Sequence, residues 1–307
     1  MVDMDAFADC SALFSLTSTS ISAAIAVCAL VGAASLYRIR GRISGTTLVA
    51  PWYWAGASLA VLCSTVIWLS YKTPAPWHSH LLYAAAATTF WPLMALLGAK
   101  RPQDQGWQLI VLSLWMVQLV PVGQGLLHST DNRLELAPAW LAFLLGLLAL
   151  GLLNGLPTRR WPAAVTETCG RTLLFAAALG WGPARTAETH QEMTVAGVAL
   201  LAVALACDAW LPERRRPAQP IDRVWLDFRD SFGLLWSLRV AERFNAAARQ
   251  LGWGVRLRWT GLDVDPQHPV VEPTPETAAA MRQNLDMLLR RFVSTEWLES
   301  RWQDRLE

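Results

Sequence analysis

Two ionisable residues interrupt an otherwise apolar stretch of the sequence and are the first candidates for chemistry. Glu167 and Arg171 lie four residues apart in the run TETCGR, a spacing that places two side chains on one face of a helix. Ionisable groups inside a membrane helix are costly and occur mainly as paired or functional groups. The pair predicts either a self-neutralising contact in the interior of a helix bundle or part of a proton or anion pathway.

A third intramembrane candidate is Asp208, near the end of the last long apolar segment. It is followed closely by three arginines at positions 214–216. A carboxylate next to a basic cluster at a membrane boundary favours an interfacial ion pair. We therefore expect Asp208 to pair with a nearby arginine.

A polar stripe runs along a fourth apolar segment. Gln118, Pro121, Gly125 and His128 follow one another at spacings of three, four and three, and Gln124 lies one turn before His128. Such spacing puts the stripe on one helix face, and Pro121 removes a backbone donor and frees a carbonyl group. The stripe predicts a small cavity in the bundle interior near the outer membrane surface.

Histidines add the question of a metal or haem group. Four of the five, His78, His80, His128 and His190, fall on the predicted outer side. Neutral imidazoles are common ligands of haem iron, copper and zinc. Their spacing matches no ligand motif, so polar residues at a wet interface are the simpler interpretation. The sequence identifies no cofactor, and haem or metal binding stays open as an alternative.

Composition and hydropathy define the elements that hold these residues. Of the 307 residues, 53% are hydrophobic and 16% are charged, which is more apolar than an ordinary soluble domain. A membrane-spanning helix needs about 20 apolar residues. Seven segments qualify: Ile21 to Tyr37, Trp52 to Tyr71, Leu81 to Ala99, Trp107 to Leu127, Ala139 to Leu156, Ala163 to Gly182 and Met193 to Leu211.

Two glycines of the fifth segment predict how the helices pack. Gly151 and Gly155 have GxxxG spacing, which favours close packing within the chain's own bundle.

Charge between these segments predicts their orientation. One alternate set of connections carries ten basic residues and the other set carries three, and the basic side faces the cytoplasm. We expect a bacterial inner (cytoplasmic) membrane protein with a short external segment at 1–20, a seven-helix domain at 21–212 and a cytoplasmic domain at 213–307. The fold class is all-α and polytopic with a small α+β C-terminal domain, and the lipid bilayer is its first partner.

The C-terminal part, residues 213–307, holds 29 of the 50 charged residues. Its sequence predicts a helix, a β-hairpin and a second helix. An amphipathic helix is predicted from Asp222 to Leu251, ended by Gly252 and Gly254. Alternation from Val255 to Trp259 predicts a strand. Val270 and Val271 are expected to supply its hairpin partner. Thr274 is a predicted N-cap, with Pro275 at the first position of a helix that continues through Phe292 and Trp297. Two strands make a poor sheet alone, so the helices, a partner or a second copy must complete the fold.

Aromatic residues of this part are either its core or a docking face. They recur at helical spacing, which is more typical of a core. The docking interpretation names six of them: Trp225, Phe228, Phe232, Trp236, Phe292 and Trp297.

Three functions fit these features. The sequence favours a non-catalytic scaffold, assembly factor or accessory subunit of a membrane complex, because it offers an interaction module and no reaction signature. A protein partner or self-association through the C-terminal domain would then be required. One alternative is a haem, metal or quinone-handling redox protein that uses the outer His and Gln residues. Another is a small-solute or proton transporter that uses Glu167 and Arg171. The net charge of +2 gives no reason to expect a nucleic-acid partner.

Overall fold

The computed structural model describes residues 18–71, 77–101, 104–128, 134–181, 186–210, 219–265 and 274–303. All but the last three residues of the predicted external segment lie outside these ranges. The described chain is mainly helical. Its elements are α1 (Ser18–Ile43), α2 (Val49–Ser70), α3 (His78–Thr88), α4 (Trp91–Leu97), α5 (Asp104–Gln118), α6 (Val120–His128), α7 (Pro138–Gly155), α8 (Trp161–Leu179), α9 (Ala187–Trp210), α10 (Pro220–Gln250), β1 (Val255–Arg258), β2 (Gly261–Val264), α11 (Pro275–Leu289) and α12 (Thr295–Trp302).

Six helical stretches of the described chain are long and apolar enough to cross a membrane. They are Ser18–Ile43, Val49–Ser70, His78–Leu97, Gly106–Leu127, Pro138–Gly155 and Thr189–Trp210. Each overlaps a segment predicted from hydropathy, which agrees with the expectation of a multi-pass helical membrane protein. The other segment, Ala163 to Gly182, coincides with α8, which has 19 residues and carries Glu167 and Arg171. It is not among the six stretches.

Helix α8 lies between its sequence neighbours α7 and α9 and also packs on α3. Small residues let these helices approach closely. A Cβ atom at Gly170 would lie 2.9 Å from the Gly197 carbonyl oxygen, and one at Gly155 would lie 2.6 Å from the Ala164 Cβ. The expected role of Gly151 and Gly155 in packing within the bundle is confirmed, because Gly155 faces Ala164 of α8 and Gly151 faces Arg171 of α8.

The C-terminal part follows the helix, hairpin, helix order with three differences. Strands β1 and β2 pair in antiparallel orientation and are joined by the two-residue loop Trp259–Thr260. The prediction that Val270 and Val271 form the hairpin partner of β1 is therefore wrong. Both valines lie outside the described residues. Thr274 caps α11 as predicted, its hydroxyl accepting a hydrogen bond from the Thr277 N–H. However, α11 ends at Leu289, because Ser294 caps a separate helix by accepting from the Trp297 N–H.

The third difference is a break inside α10. Gly233 has φ +78° and ψ −171°, a conformation that L side chains rarely adopt. The apolar periodicity runs unchanged across Gly233, so the pattern predicted one continuous helix. In the structure the glycine divides α10 into two helical halves.

The C-terminal part shares a core with one end of the helix bundle. Ile39, Ile43 and Leu48 pack in the same buried cluster as Phe228 and Phe292. Backbone hydrogen bonds join the two parts: the Thr47 N–H donates to the Phe292 carbonyl (2.9 Å), the Ser294 N–H to Gly45 (2.6 Å) and the Arg101 N–H to Arg291 (2.9 Å). The small C-terminal core is therefore completed by the ends of the spans, which we call the junction end of the bundle.

Asp222 connects α10 to the hairpin. Its Oδ1 accepts a hydrogen bond from the Leu262 N–H (2.7 Å). Gly261, with φ +134°, leaves the space for it, since a Cβ there would lie 2.7 Å from Oδ1. Burial raises the pKa of Asp222, and the Leu262 hydrogen bond partly opposes this rise. The folded state therefore binds this proton more tightly than the unfolded chain, and its stability falls as pH rises through the folded pKa.

Asp222→Asn is expected to remove this pH dependence and to preserve stability at neutral pH, because the amide oxygen still accepts from Leu262. Asp222→Ala leaves that N–H without its acceptor and should lower the free energy of unfolding by about 1–3 kcal/mol. Unfolding of the full chain in detergent between about pH 4 and 8 measures both effects, since carboxyl groups titrate from the lower end of this window. Equal stability of the two variants would contradict the role of the hydrogen bond.

Candidate functional site

A cavity of about 280 Å³ lies at the junction end of the bundle. Its walls come from α1, α2, α4, α7, α8 and α9, and Ser231 of α10 borders it from the C-terminal part. Most lining residues are apolar, such as Leu36, Leu59 and Leu201. Small-molecule sites share this character, an apolar wall with a few placed polar groups, and the volume lies near the lower end of their range.

Arg171 is the deepest charged group of the cavity. Its side chain is 3% exposed, and it forms an ion pair with Glu167, which is 41% exposed. The Arg171 Nη2 also donates to the Thr89 carbonyl oxygen (2.7 Å), and the guanidinium lies 5.0 Å from the centre of the Phe90 ring. The buried Arg171 Nε has no acceptor among the described residues. The pair predicted from sequence is thus formed, and it retains a free donor.

A second ion pair lies nearer the end of the bundle. Asp208 Oδ1 lies 3.0 Å from the Arg160 Nε, with side chains 16% and 31% exposed. Arg42 holds the adjacent end of α9 by donating to the carbonyl oxygens of Asp208 and Ala209, both at 2.9 Å. Basic groups are favourable at a helix C-terminus. The arginines that we expected to pair with Asp208, at 214–216, lie outside the described residues, and Arg160 takes this position in the structure.

Asn154 links the cavity wall to the break in α10. Its Oδ1 accepts a hydrogen bond from the Leu235 N–H (3.1 Å), a donor that lies just after the break. A Cβ at Gly233 would lie 2.3 Å from the Asn154 Nδ2. The glycine is thus required both by its backbone conformation and by the closeness of Asn154, and α10 is held directly against the cavity.

The polar stripe of α5 and α6 lies elsewhere. Gln118 and Pro121 are buried, and Gly125 packs against His80, whose Nε2 would lie 2.6 Å from a Cβ at that position. Gln124 is exposed, and the side chain of His128 lies outside the described part. The inward direction predicted for Gln118, Pro121 and Gly125 agrees with the structure, but none of them borders the junction cavity.

His78, His80 and His190 are the histidines whose side chains the structure describes. His80 is buried, and His78 and His190 are half-buried. Within the described ranges, no group of three or more His, Cys, Asp or Glu side chains is placed to hold a metal ion.

Five of the six aromatic residues named for docking lie inside the protein, and the sixth lies at the contact with the bundle. Phe228 and Phe232 stack at 4.6 Å, and Phe292 meets the Phe232 ring edge-on at 5.4 Å. Trp225, Phe228, Phe232, Phe292 and Trp297 are buried. Trp236 is half-buried, and its Nε1 donates to the Leu96 carbonyl of α4 (2.9 Å). These side chains form the core and attach the C-terminal part to its own bundle.

Three residues of the site had no assigned role in the sequence prediction. Arg160 was counted only as an orientation charge, Asn154 was one polar residue in an apolar segment, and Gly233 lay inside a continuous periodic pattern. A lone asparagine in a membrane segment is itself a signal, because its amide needs a partner. Its partner is 81 positions away along the chain.

Fold and site together define a multi-pass helical membrane protein with a part-apolar, part-charged cavity where its bundle meets its C-terminal part. No family model, no curated protein and no solved structure matches the chain.

Proposed function

We propose that this protein binds a membrane amphiphile, a molecule with a polar head and an apolar tail, in the junction cavity. One observation carries the proposal: the cavity combines apolar walls from membrane-spanning helices with two ion pairs, Arg171–Glu167 and Arg160–Asp208. Apolar walls favour an apolar tail. The free Arg171 Nε favours a ligand that brings an oxygen acceptor to it, since a buried donor without an acceptor is costly.

In this proposal α8 is a seventh span. Its charged pair is largely self-neutralised, which is the form in which charges are tolerated in a membrane, and α7 and α9 flank it. The charge alternation of the loops supports an orientation with the N-terminus outside and the C-terminal part in the cytoplasm. The junction end of the bundle is then the cytoplasmic end in an inner membrane.

A scaffold or accessory-subunit function remains compatible with amphiphile binding. Any protein partner would have to contact other surfaces than the six aromatic residues, because these are buried or attached to the bundle. The cavity, and not the aromatic stripe, therefore supports the proposed function.

A matched pair of substitutions on α9 tests the proposal. Ala204 borders the cavity and is buried, whereas its neighbour Val203 is exposed on the outer face of the helix. The protein purified in mild detergent should retain an amphiphile that native mass spectrometry detects. Ala204→Phe fills the cavity and should lower this retention at least about tenfold, which corresponds to about 1.4 kcal/mol of binding free energy.

Val203→Phe is the control, because it adds a ring on the same helix without entering the cavity. It should retain the amphiphile at the level of the unaltered protein. Absence of any bound amphiphile from the unaltered protein, or equal retention by Ala204→Phe and Val203→Phe, would refute the proposal.

A proton or small-solute transporter is a second candidate, because the half-exposed Glu167 lies in the same cavity as the buried Arg171. Proton uptake by vesicles that contain the purified protein distinguishes the two functions. Uptake no faster than in protein-free vesicles removes the proton pathway and leaves amphiphile binding unaffected.

A further inference from the structure

We infer that the head group of the ligand is zwitterionic and carries a phosphate and a primary ammonium, as in phosphatidylethanolamine. The inference rests on the proposed function. Among the described residues, the charged groups that border the cavity are two arginines and two carboxylates, Arg160, Arg171, Glu167 and Asp208. Their formal charges sum to zero, so the lining itself favours a ligand that also carries both signs of charge.

Free donors and acceptors in the cavity favour a ligand with both signs of charge. The Arg171 Nε has no acceptor, and Arg160 uses its Nε on Asp208, which leaves the rest of its guanidinium for a phosphate oxygen. On the acidic side and among the described residues, Asp208 contacts Arg160 through Oδ1 and Glu167 contacts Arg171 through Oε1. Their second oxygens make no hydrogen bond with a described residue and can accept from an ammonium.

The ammonium is expected to be primary, because a carboxylate is a hydrogen-bond acceptor. A primary ammonium offers three N–H donors, whereas the quaternary ammonium of phosphatidylcholine offers none. Charge-assisted hydrogen bonds are roughly twice as strong as neutral ones. The Asp208 and Glu167 carboxylates therefore favour phosphatidylethanolamine over phosphatidylcholine, although the two lipids have the same net charge.

Depth in the bundle locates the head group inside the cavity. Arg160 and Arg171 are eleven positions apart along α8 and its N-cap, an axial separation of about 16 Å at 1.5 Å per residue, which is about half the thickness of the hydrocarbon core of a bilayer. A phosphate that accepts from the Arg171 Nε therefore has to enter the cavity between the two ion pairs. The apolar walls then contact the acyl chains.

Competition among three lipids with identical acyl chains tests this assignment. The full chain, stripped of lipid in detergent, is mixed with equal amounts of phosphatidylethanolamine, phosphatidylcholine and phosphatidylglycerol, and bound lipid is counted by native mass spectrometry. Phosphatidylethanolamine should be retained about tenfold more than either competitor. Equal retention of the three lipids overturns the head-group assignment, while amphiphile binding itself still stands. A protein that retains none of the lipids refutes the proposed function as well.

Two substitutions move the selectivity in opposite directions. Asp208→Asn leaves Arg160 unpaired and should raise the ratio of phosphatidylglycerol to phosphatidylethanolamine about tenfold, whereas Arg160→Gln leaves Asp208 unpaired and should lower it. A ratio that neither variant changes contradicts the assignment. If a variant fails to fold, the lipid competition with the unaltered protein tests the head-group assignment by itself.

Soluble phosphoethanolamine separates a lipid from a free zwitterion with the same chemistry. A large excess should leave the bound lipid in place, because the apolar walls contribute to its affinity. Displacement at equal concentration would overturn the assignment of a membrane lipid.

Discussion

Replacing Arg171 by methionine is expected to lower the free energy of unfolding of the helix bundle by about 1–3 kcal/mol, the cost of leaving a buried polar group without its hydrogen-bond partner. The substitution leaves the Glu167 carboxylate without its counter-charge and the Thr89 carbonyl without the donor 2.7 Å away. Methionine keeps much of the side-chain volume. The loss therefore reports on charge and hydrogen bonding, and it can be followed by thermal unfolding in detergent.

Rescue identifies the cause of this loss. The double variant Glu167→Gln with Arg171→Met removes both charges, and it should recover the part of the lost stability that the unpaired Glu167 charge costs. Arg160→Met is the matched control, because the Arg160 side chain is 31% exposed whereas that of Arg171 is 3% exposed, and its loss should cost no more than about 1 kcal/mol. Equal losses for Arg171→Met and Arg160→Met would show that depth in the bundle does not govern the two pairs.

Replacing Gly233 by alanine should have the second large effect. A side chain at φ +78° is strained by about 1–2 kcal/mol. The added Cβ would also lie 2.3 Å from the Asn154 Nδ2, so Asn154 must move and its hydrogen bond to the Leu235 N–H is lost, at a further cost of about 1 kcal/mol. We expect a total loss of about 3 kcal/mol and a weaker attachment of the C-terminal part to the bundle, which hydrogen exchange of the backbone around Leu235 measures.

Gly252→Ala provides the comparison. Gly252 also has a positive φ, +65°, but a Cβ there would meet nothing within 4 Å. This variant should show the conformational cost alone, about 1 kcal/mol. If Gly252→Ala destabilises the protein as much as Gly233→Ala, the contact with Asn154 has no energetic role.

Local patterns in the sequence predicted what is local in the structure. The Glu167–Arg171 pair depends on a spacing of four within one helix, and the cap at Thr274 depends on the residues that follow it; both are present. The hairpin was misassigned because Asp263 and the neighbouring Asp265 interrupt the apolar pattern after Thr260. The turn at Trp259–Thr260 follows from the pairing of Arg258 with Gly261, which leaves two residues between the strands, and from the contact of Gly261 with Asp222.

Contacts between distant parts of the chain had no such signal. Arg160 and Asp208 are 48 positions apart on different helices, and Asn154 meets α10 through a backbone amide. The break at Gly233 was missed because apolar residues continue in register on both sides of it. Packing between helices determines the partner of each charged residue and the position of the C-terminal part on the bundle. Spacing along a single helix does not contain this information.

The backbone pairing at the junction end also sets an order for folding. The connection between α1 and α2 forms a bridge from Thr46 to Val293, and the Arg101 N–H donates to the Arg291 carbonyl oxygen. Each of these contacts closes a loop of well over a hundred residues, and the entropy of closing such a loop has to be offset by structure that already exists. The junction end is therefore expected to close after the helices on both sides of it have formed, and its contacts are expected to be the first to open when the protein is destabilised.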